Sequence, residues 1–307
     1  MPESTPRATA HHWRELDAAA REREYSPSSV IGGDYQPFLS AYAERSRAAR
    51  VRTPGRLDLR YGSGAAQCLD LFVPGDVGGP LSSAPLAMPP PLLVFIHGGY
   101  WQELSKTDST FAAADCVNQG MAFAAIEYTL APHASVAEMV DECRLAFSWL
   151  HRNAAVLGFD AERIVVAGSS AGAHLAAMSA LPAAGEPGAK RAAHVKAAVL
   201  VSGIYELEPL VGTSINDAVG LSAVSARGLS PALSALQGFP PSIVCWGAVE
   251  TSEFKRQSTD FAALLTKAGS ACETFEVPQR NHFDVILDLA DPATQLGRAT
   301  IDLIQSV

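Results

Sequence analysis

Short, almost wholly apolar runs alternate along this chain with longer amphipathic stretches. Runs of this kind are typical of strands in a sheet that is covered on both faces. The runs that predict strands span residues 92–96, 122–128, 164–167, 195–201, 242–246 and 272–277.

The stretches between these runs predict helices over residues 109–119, 135–157, 171–181, 254–268 and 292–304. In the longest of them Val136, Met139, Val140 and Cys143 recur at helical spacing. A regular alternation of strand and helix predicts an α/β fold with a mostly parallel central sheet and helices on both faces. Residues 206–241 interrupt it with turns and short helical pieces, which predicts a small cap over a site.

The first third of the chain follows a different pattern. Residues 1–55 are rich in Arg and Glu and predict a helical extension, and the alternating segments 56–61 and 67–73 predict a hairpin. Residues 74–91 are rich in Pro, Gly and Ser and predict a mobile surface loop. We interpret 1–307 as one domain.

Composition narrows the function classes. The net charge of −9 disfavours nucleic-acid and anionic-membrane partners, and a small-molecule substrate is expected. Without an apolar leader segment or a run long enough to span a bilayer, a cytoplasmic protein is expected. Five scattered cysteines predict reduced, buried thiols rather than a disulfide framework. The oligomeric state stays open, a homodimer included.

Two motifs carry the candidate chemistry. Gly168-Ser169-Ser170-Ala171-Gly172 fits G-x-S-x-G, in which a serine sits on a sharp strand-to-helix turn with its hydroxyl exposed. Only Ser170 has glycine two residues before and two residues after it, whereas the rival Ser169 does not. His97-Gly98-Gly99-Tyr100-Trp101 fits the H-G-G-type motif of esterases and lipases. The pair predicts acyl transfer with Ser170 as nucleophile.

Backbone amides are expected to stabilise the charge that develops on the substrate oxygen. The glycines Gly98 and Gly99 allow the turn, and the donors are expected at Gly99, Tyr100 and, just after the nucleophile, Ala171. We interpret His97 as a structural hydrogen-bonding residue. Trp101 is a candidate pocket wall.

The base is expected late in the chain, because α/β-hydrolases place their triad in the order serine, acid, histidine. His282 follows the last predicted strand and fits best; His174 and His194 also follow Ser170. For the acid, Glu250 is the first carboxylate after the strand 242–246, and an acid there would fix the imidazole tautomer. Three other acids remain alternatives: Glu253, Asp260 and Asp284.

Neither metal-ligand spacing nor a glycine-rich phosphate loop is found in the sequence. No metal site is therefore expected.

On these motifs the chain resembles the kynurenine formamidases (arylformamidases), a family of α/β-hydrolases. The resemblance runs from about residue 20 to the end and includes HGGYWQ at 97–102, SAGAHLAAM at 170–178, SEFKRQS at 252–258, EYSPS at 24–28, YELEPL at 205–210 and NHF at 281–283. It implies hydrolysis of N-formyl-L-kynurenine to kynurenine and formate in tryptophan breakdown, with no metal or organic cofactor. Tyr205 in the cap segment is a second candidate for substrate binding.

Two positions depart from the family pattern. Ser169 stands where the family often has histidine, and Glu250 where it usually has aspartate. Both keep open an alternative in which the same machinery is a carboxylesterase for small aryl or short-chain esters. A third alternative, a catalytically inactive hydrolase fold used for binding, is disfavoured because every expected catalytic position is filled.

Overall fold

Eight strands form one sheet in a computed structural model that describes residues 13–75, 88–181 and 194–307. The strands are β1 Arg56–Arg60, β2 Cys68–Phe72, β3 Leu92–Ile96, β4 Ala122–Ile126, β5 Ile164–Ser169, β6 Ala197–Val201, β7 Ser242–Val249 and β8 Cys272–Asn281. Their order is β1-β2-β4-β3-β5-β6-β7-β8. β1, β2 and β4 pair antiparallel, and all pairs from β4 onward are parallel.

Helices cover both faces of this sheet. They are α1 Ala18–Glu24, α2 Gln36–Arg52, α3 Ala113–Asn118, α4 Val136–Leu157, α5 Ala171–Ala180, α6 Asn216–Val219, α7 Ala223–Gly228, α8 Ser252–Lys267 and α9 Gln295–Gln305.

The central strands are buried on both sides, and alternate side chains enter two separate apolar cores. In β3, Leu92, Val94 and Ile96 join the core that contains α4, α5 and α8. Leu93 and Phe95 join the core that contains α3 and α9. This two-sided burial explains why the strands appear in the sequence as continuous apolar runs.

Local sequence signals fix the ends of the longest helix. Ser135 caps α4 and forms a reciprocal capping box with Glu138, and Gly158 ends the helix in the left-handed conformation with φ 88°. Nine of the helix's residues are buried at positions that share one face. The amphipathic pattern therefore places α4 against the sheet.

The predicted α/β-hydrolase fold class is confirmed, and the predicted strands and helices match within a few residues at their ends. Most of the predicted 74–91 loop (residues 76–87) lies outside the described residues. All five cysteines are free thiols, four of them buried and Cys272 half-buried. Among the described residues, no helix has the length and apolar character needed to cross a membrane.

Candidate active site

The residues singled out in the sequence meet at the carboxyl edge of the sheet. Gly98 follows β3, Ser170 follows β5, Glu250 follows β7 and His282 follows β8. Because β3 to β8 run parallel, their carboxyl ends lie along one edge, where ligands of open α/β sheets bind. Residues up to 184 positions apart, Gly98 and His282, therefore contribute to one site.

Ser170 sits on a strained turn between β5 and α5. Its backbone has φ 56° and ψ −120°, a conformation that costs a non-glycine residue about 1–3 kcal/mol. The turn fits because its neighbours are small: a Cβ added to Gly98 would lie 2.7 Å from Ser169 O and 3.3 Å from Ser170 Cβ. A Cβ on Gly172 would collide with the backbone of Ile96 and His97. The glycines thus allow β3 to pass directly beside the serine turn.

Glu250 and His282 form a buried pair. His282 Nδ1 lies 3.0 Å from Glu250 Oε2, and the two side chains are 5% and 0% exposed. The other carboxylate oxygen, Oε1, accepts hydrogen bonds from the Gly247 amide and the Ser202 hydroxyl, both at 2.6 Å. With Nδ1 engaged by the carboxylate, Nε2 is the ring nitrogen left for a reacting group.

Ser202 is a site residue that the sequence reasoning missed. It follows β6 directly, is fully buried, and has φ 51°, while its own amide donates to Cys245 O. The available signal was its position: it occupies after β6 the place that Ser170 occupies after β5. Its hydroxyl helps to fix the Glu250 carboxylate.

The His97–Trp101 turn presents backbone amides beside Ser170. Gly99, Tyr100 and Trp101 all have positive φ, of 88°, 49° and 61°. Within the described part of the chain, the amides of Gly99 and Tyr100 find no acceptor. Ala171 opens α5, so its N–H has no partner inside the helix. These groups can bind an oxyanion.

His97 takes a structural position, as interpreted from the sequence. Its ring stacks on Tyr128 with centroids 4.4 Å apart, and Nε2 lies 3.3 Å from Glu127 Oε1. Nδ1 lies 3.1 Å from Gly98 O, so the ring also contacts the turn that it precedes.

The alternative acids are engaged elsewhere. Glu253 accepts hydrogen bonds from Tyr25 and Arg256, and Asp260 pairs with Arg256. Asp284 accepts from the amide of Asn281. Among the described residues, none of these carboxylates forms a hydrogen bond or an ion pair with His282.

The alternative histidines also lie away from Ser170. His174 is fully buried on α5, with Nε2 2.7 Å from Leu229 O, and burial lowers its pKa to about 4. The His194 ring packs against the His151 ring, with centroids 3.9 Å apart and planes tilted by 33°. Neither lines the cavity described next.

A cavity of about 190 Å³ opens onto Ser170 and His282. A cavity of ~150 Å³ can hold a benzene ring, so this one has room for one aromatic ring with a short arm. Its wall is dominated by aromatic side chains: Tyr25, Tyr35, Tyr42, Phe95, Tyr100, Phe111 and Phe283. This lining suits a small aryl substrate.

The residues that cover the cavity are not the ones predicted from the sequence. Of the predicted cap, residues 206–241, only Ile215 lines the cavity. Residues 25–42 supply seven lining positions instead: Tyr25, Ser26, Pro27, Ser28, Tyr35, Leu39 and Tyr42. This segment is tied to the site by hydrogen bonds, because Tyr100 donates to Tyr25 O and Tyr42 donates to Phe283 O. The residue just before the segment is held as well, since Thr251 donates to Glu24 O.

The two candidate substrate-binding aromatics need the same correction, because neither lines the cavity. The positive φ of Tyr100 and Trp101 leaves the Tyr100 ring on the cavity wall while Trp101 is fully buried, edge-on to His174 at 5.2 Å. Tyr205 is also fully buried and stacks on Phe261 at 4.1 Å. Both rings therefore lie in the core and not on the cavity wall.

One ionisable acid, Glu103, lines the cavity. Partial burial raises the pKa of its carboxyl, and hydrogen bonding from the Tyr35 hydroxyl opposes that rise. Over the described ranges, no cluster of three or more His, Cys, Asp or Glu side chains could hold a metal ion.

Known proteins with related sequences are hydrolases. A family model described as BD-FAE matches residues 83–226. The kynurenine formamidase of Danio rerio is 30% identical over 303 residues, which cover 95% of this chain and 98% of that protein. The carboxylesterase NlhH of Mycobacterium tuberculosis is 28% identical over 69% of this chain and 73% of its own length.

The fold has close counterparts among solved structures. A protein of Silicibacter sp. tm1040, whose suggested activity is that of a thioesterase, superposes with a TM-score of 0.73 at 28% identity, covering 91% of this chain and 97% of that one. The sequence and structural relatives agree on a hydrolase.

Proposed function

Because this chain belongs to the kynurenine formamidase family of α/β-hydrolases, we propose that it hydrolyses aryl formamides of the N-formyl-L-kynurenine type through Ser170, His282 and Glu250. One observation carries the proposal: the buried contact of 3.0 Å between His282 Nδ1 and Glu250 Oε2, beside the strained Ser170 turn. It supports a nucleophile, a base and an orienting acid in one unit.

In the proposed reaction, Ser170 Oγ attacks the formyl carbon while His282 Nε2 takes the hydroxyl proton. The amides of Gly99, Tyr100 and Ala171 stabilise the oxyanion. The C–N bond then breaks, and His282 gives its proton to the departing arylamine nitrogen. Water attacks the formyl ester, passing a proton to His282, and formate leaves as Ser170 regains its proton.

The surroundings of Glu250 support its role as the acid although the family usually has aspartate there. Its Oε1 is fixed by Ser202 and Gly247, and its Oε2 faces the imidazole. When the ring becomes cationic during proton transfer, the buried carboxylate stabilises that charge.

A carboxylesterase acting on small aryl esters is the second candidate, favoured by the similarity to NlhH. The same residues would act, with an alcohol as leaving group. Steady-state kinetics with N-formyl-L-kynurenine and with short p-nitrophenyl esters compares the two. A higher kcat/KM for the formamide supports the first proposal, and turnover of the esters alone would refute it.

A further inference from the structure

We propose that Glu103 forms a subsite for a cationic amine, so that the enzyme favours aryl substrates carrying an ammonium group on a short arm. The inference rests on the proposed acyl transfer at Ser170 and names the substrate class.

The first support is the position of Glu103. It lines the same cavity as Ser170 and His282. Its amide donates to Gly99 O at 3.1 Å, and this turn folds its side chain back over the oxyanion turn. A Cβ added to Gly99 would lie 2.9 Å from Glu103 Cγ. The Glu103 side chain thus begins beside Gly99, in the turn that carries the proposed oxyanion donors.

The second support is the group of aromatic side chains next to Glu103. Tyr35, whose hydroxyl interacts with Glu103, stacks on Phe283 with centroids 5.4 Å apart and planes at 9°. Phe283 in turn packs edge-on to His282 at 5.4 Å. An environment of aromatic rings next to a carboxylate favours an ammonium group, because the carboxylate pairs with its charge and the rings attract it by cation–π interaction.

The third support is the charge of the cavity. Glu103 forms no ion pair with any described residue, and no lysine or arginine is among the lining residues. A partly buried carboxylate without a counter-ion is costly, and its raised pKa reflects that cost. A bound ammonium group would supply the missing cation.

The same charge distribution works against a carboxylate on the substrate. Inside the cavity, a substrate carboxylate would approach Glu103, and no lysine or arginine is among the described lining residues to compensate its charge. An amino-acid substrate can therefore place its ammonium group near Glu103 only if its carboxylate remains toward solvent. We expect an amine without the carboxylate to bind better than the zwitterion.

The test compares three formamides that share one aryl core: neutral ortho-acetylformanilide, N-formylkynuramine with an ammonium group, and zwitterionic N-formyl-L-kynurenine. The wild-type enzyme should show the highest kcat/KM for N-formylkynuramine. In Glu103→Gln, the ratio of kcat/KM for the ammonium over the neutral compound should fall about tenfold, the size expected for losing a charged hydrogen bond. The ratio should also fall with decreasing pH as the carboxyl is protonated.

Glu44→Gln is the matched control, since it removes the same charge from an exposed position on α2. It should keep the wild-type ratio. An unchanged ratio in Glu103→Gln, or an equal fall in Glu44→Gln, would overturn the subsite.

A second pair of substrates separates this outcome from failure of the proposed formamidase activity. Phenyl acetate and meta-(aminomethyl)phenyl acetate differ by the ammonium group and need only an active Ser170. If formamides are not cleaved but the ester ratio falls in Glu103→Gln, the formamidase proposal fails and the subsite stands. If formamides are cleaved and neither ratio falls, the subsite fails alone.

Discussion

His282 contacts Glu250 through Oε2, the carboxylate oxygen that accepts no hydrogen bond from any other residue in the described part of the chain. Ser202 and Gly247 hold Oε1, and the imidazole Nδ1 meets Oε2 at 3.0 Å. The acid is therefore fixed before any substrate arrives, and its longer side chain is accommodated by two donors that set its position.

Ser170→Ala should abolish nearly all turnover, because the residual rate of a hydrolase without its triad comes from the oxyanion hole and binding alone. We expect a loss of about 10⁴–10⁶ in kcat. Covalent labelling by a fluorophosphonate should disappear with it, whereas Ser169→Ala, a change at the neighbouring cavity residue, should still be labelled. Retention of a tenth of wild-type kcat in Ser170→Ala would show that another group is the nucleophile.

Glu250→Gln should lower kcat at least ~10²-fold with little change in KM, because an amide cannot stabilise the imidazolium and can favour the wrong tautomer. Glu250→Asp should retain more activity, limited by its shorter reach. Asp284→Asn is the matched control, since Asp284 accepts from the Asn281 amide rather than from the imidazole. A severe loss in Asp284→Asn with near-normal Glu250→Gln would transfer the acid role to Asp284.

Ser202→Ala should reduce kcat about tenfold, because the net contribution of a hydrogen bond to a charged group is about 1.5–3 kcal/mol and Gly247 still holds Oε1. With one donor gone, the Glu250 carboxylate is held less firmly in its contact with His282 Nδ1. The loss should therefore appear in kcat, with little change in KM.

Ser179→Ala serves as control for this change, since Ser179 is equally buried, lies on α5, and has a hydroxyl with no partner among the described residues. Its kcat and KM should match those of the wild type. If Ser202→Ala lowers the free energy of unfolding but leaves kcat unchanged, Ser202 has only a structural role.

Gly98→Ala should impair catalysis because its Cβ would lie 2.7 Å from Ser169 O, so the oxyanion turn and the serine turn must separate. Displacing the backbone N–H donors of the oxyanion turn should have an effect comparable to losing one of them, which costs ~10²–10³ in kcat. Gly228→Ala, at an exposed position with no atom within 4 Å, is the control and should leave kcat unchanged. Equal kcat in the two variants would exclude the predicted close approach.

Stability should fall in acid because of His174. Burial lowers its pKa to about 4, below the ~6.5 of an unfolded histidine, so between these values the unfolded chain binds more protons. The free energy of unfolding therefore rises with pH across this window. On acidification through the same window, the contribution of His174 that is lost is on the order of 3 kcal/mol.

Urea unfolding of His174→Gln at several pH values between 4 and 7 tests this contribution. The glutamine amide can still donate to Leu229 O but does not titrate, so the dependence on pH should be weaker than in the wild type. His133→Gln, at an exposed position, should keep the wild-type dependence. An unchanged slope in His174→Gln would contradict the inference.

The fold, and the candidate residues that meet at one edge of the sheet, could be predicted from the sequence because both depend on local patterns. The apolar runs of β3 to β7 reflect two-sided burial, and Ser170 lies in a motif whose glycines are required by a turn. Ser202 was missed because its role depends on the register that places β6 beside β7, which brings it to Glu250, 48 residues away.

The cover of the site was misjudged for a related reason. A break in the strand–helix alternation favoured residues 206–241 as the cap, yet the pairing of Tyr25 with Glu253 spans 228 residues and leaves no periodic signal. The orientation of Trp101 likewise depends on two positive φ values that its residue type does not indicate.

The contacts of residues 25–42 also determine the stage of folding at which the enzyme becomes active. Their partners Glu253 and Phe283 lie 228 and 241 residues further along the chain, and contacts over such spans form slowly because loop closure costs entropy. During synthesis, the aromatic wall leaves the ribosome long before the strand that carries His282. A partly made chain therefore has no enclosed site, and the appearance of activity reports the last stage of folding.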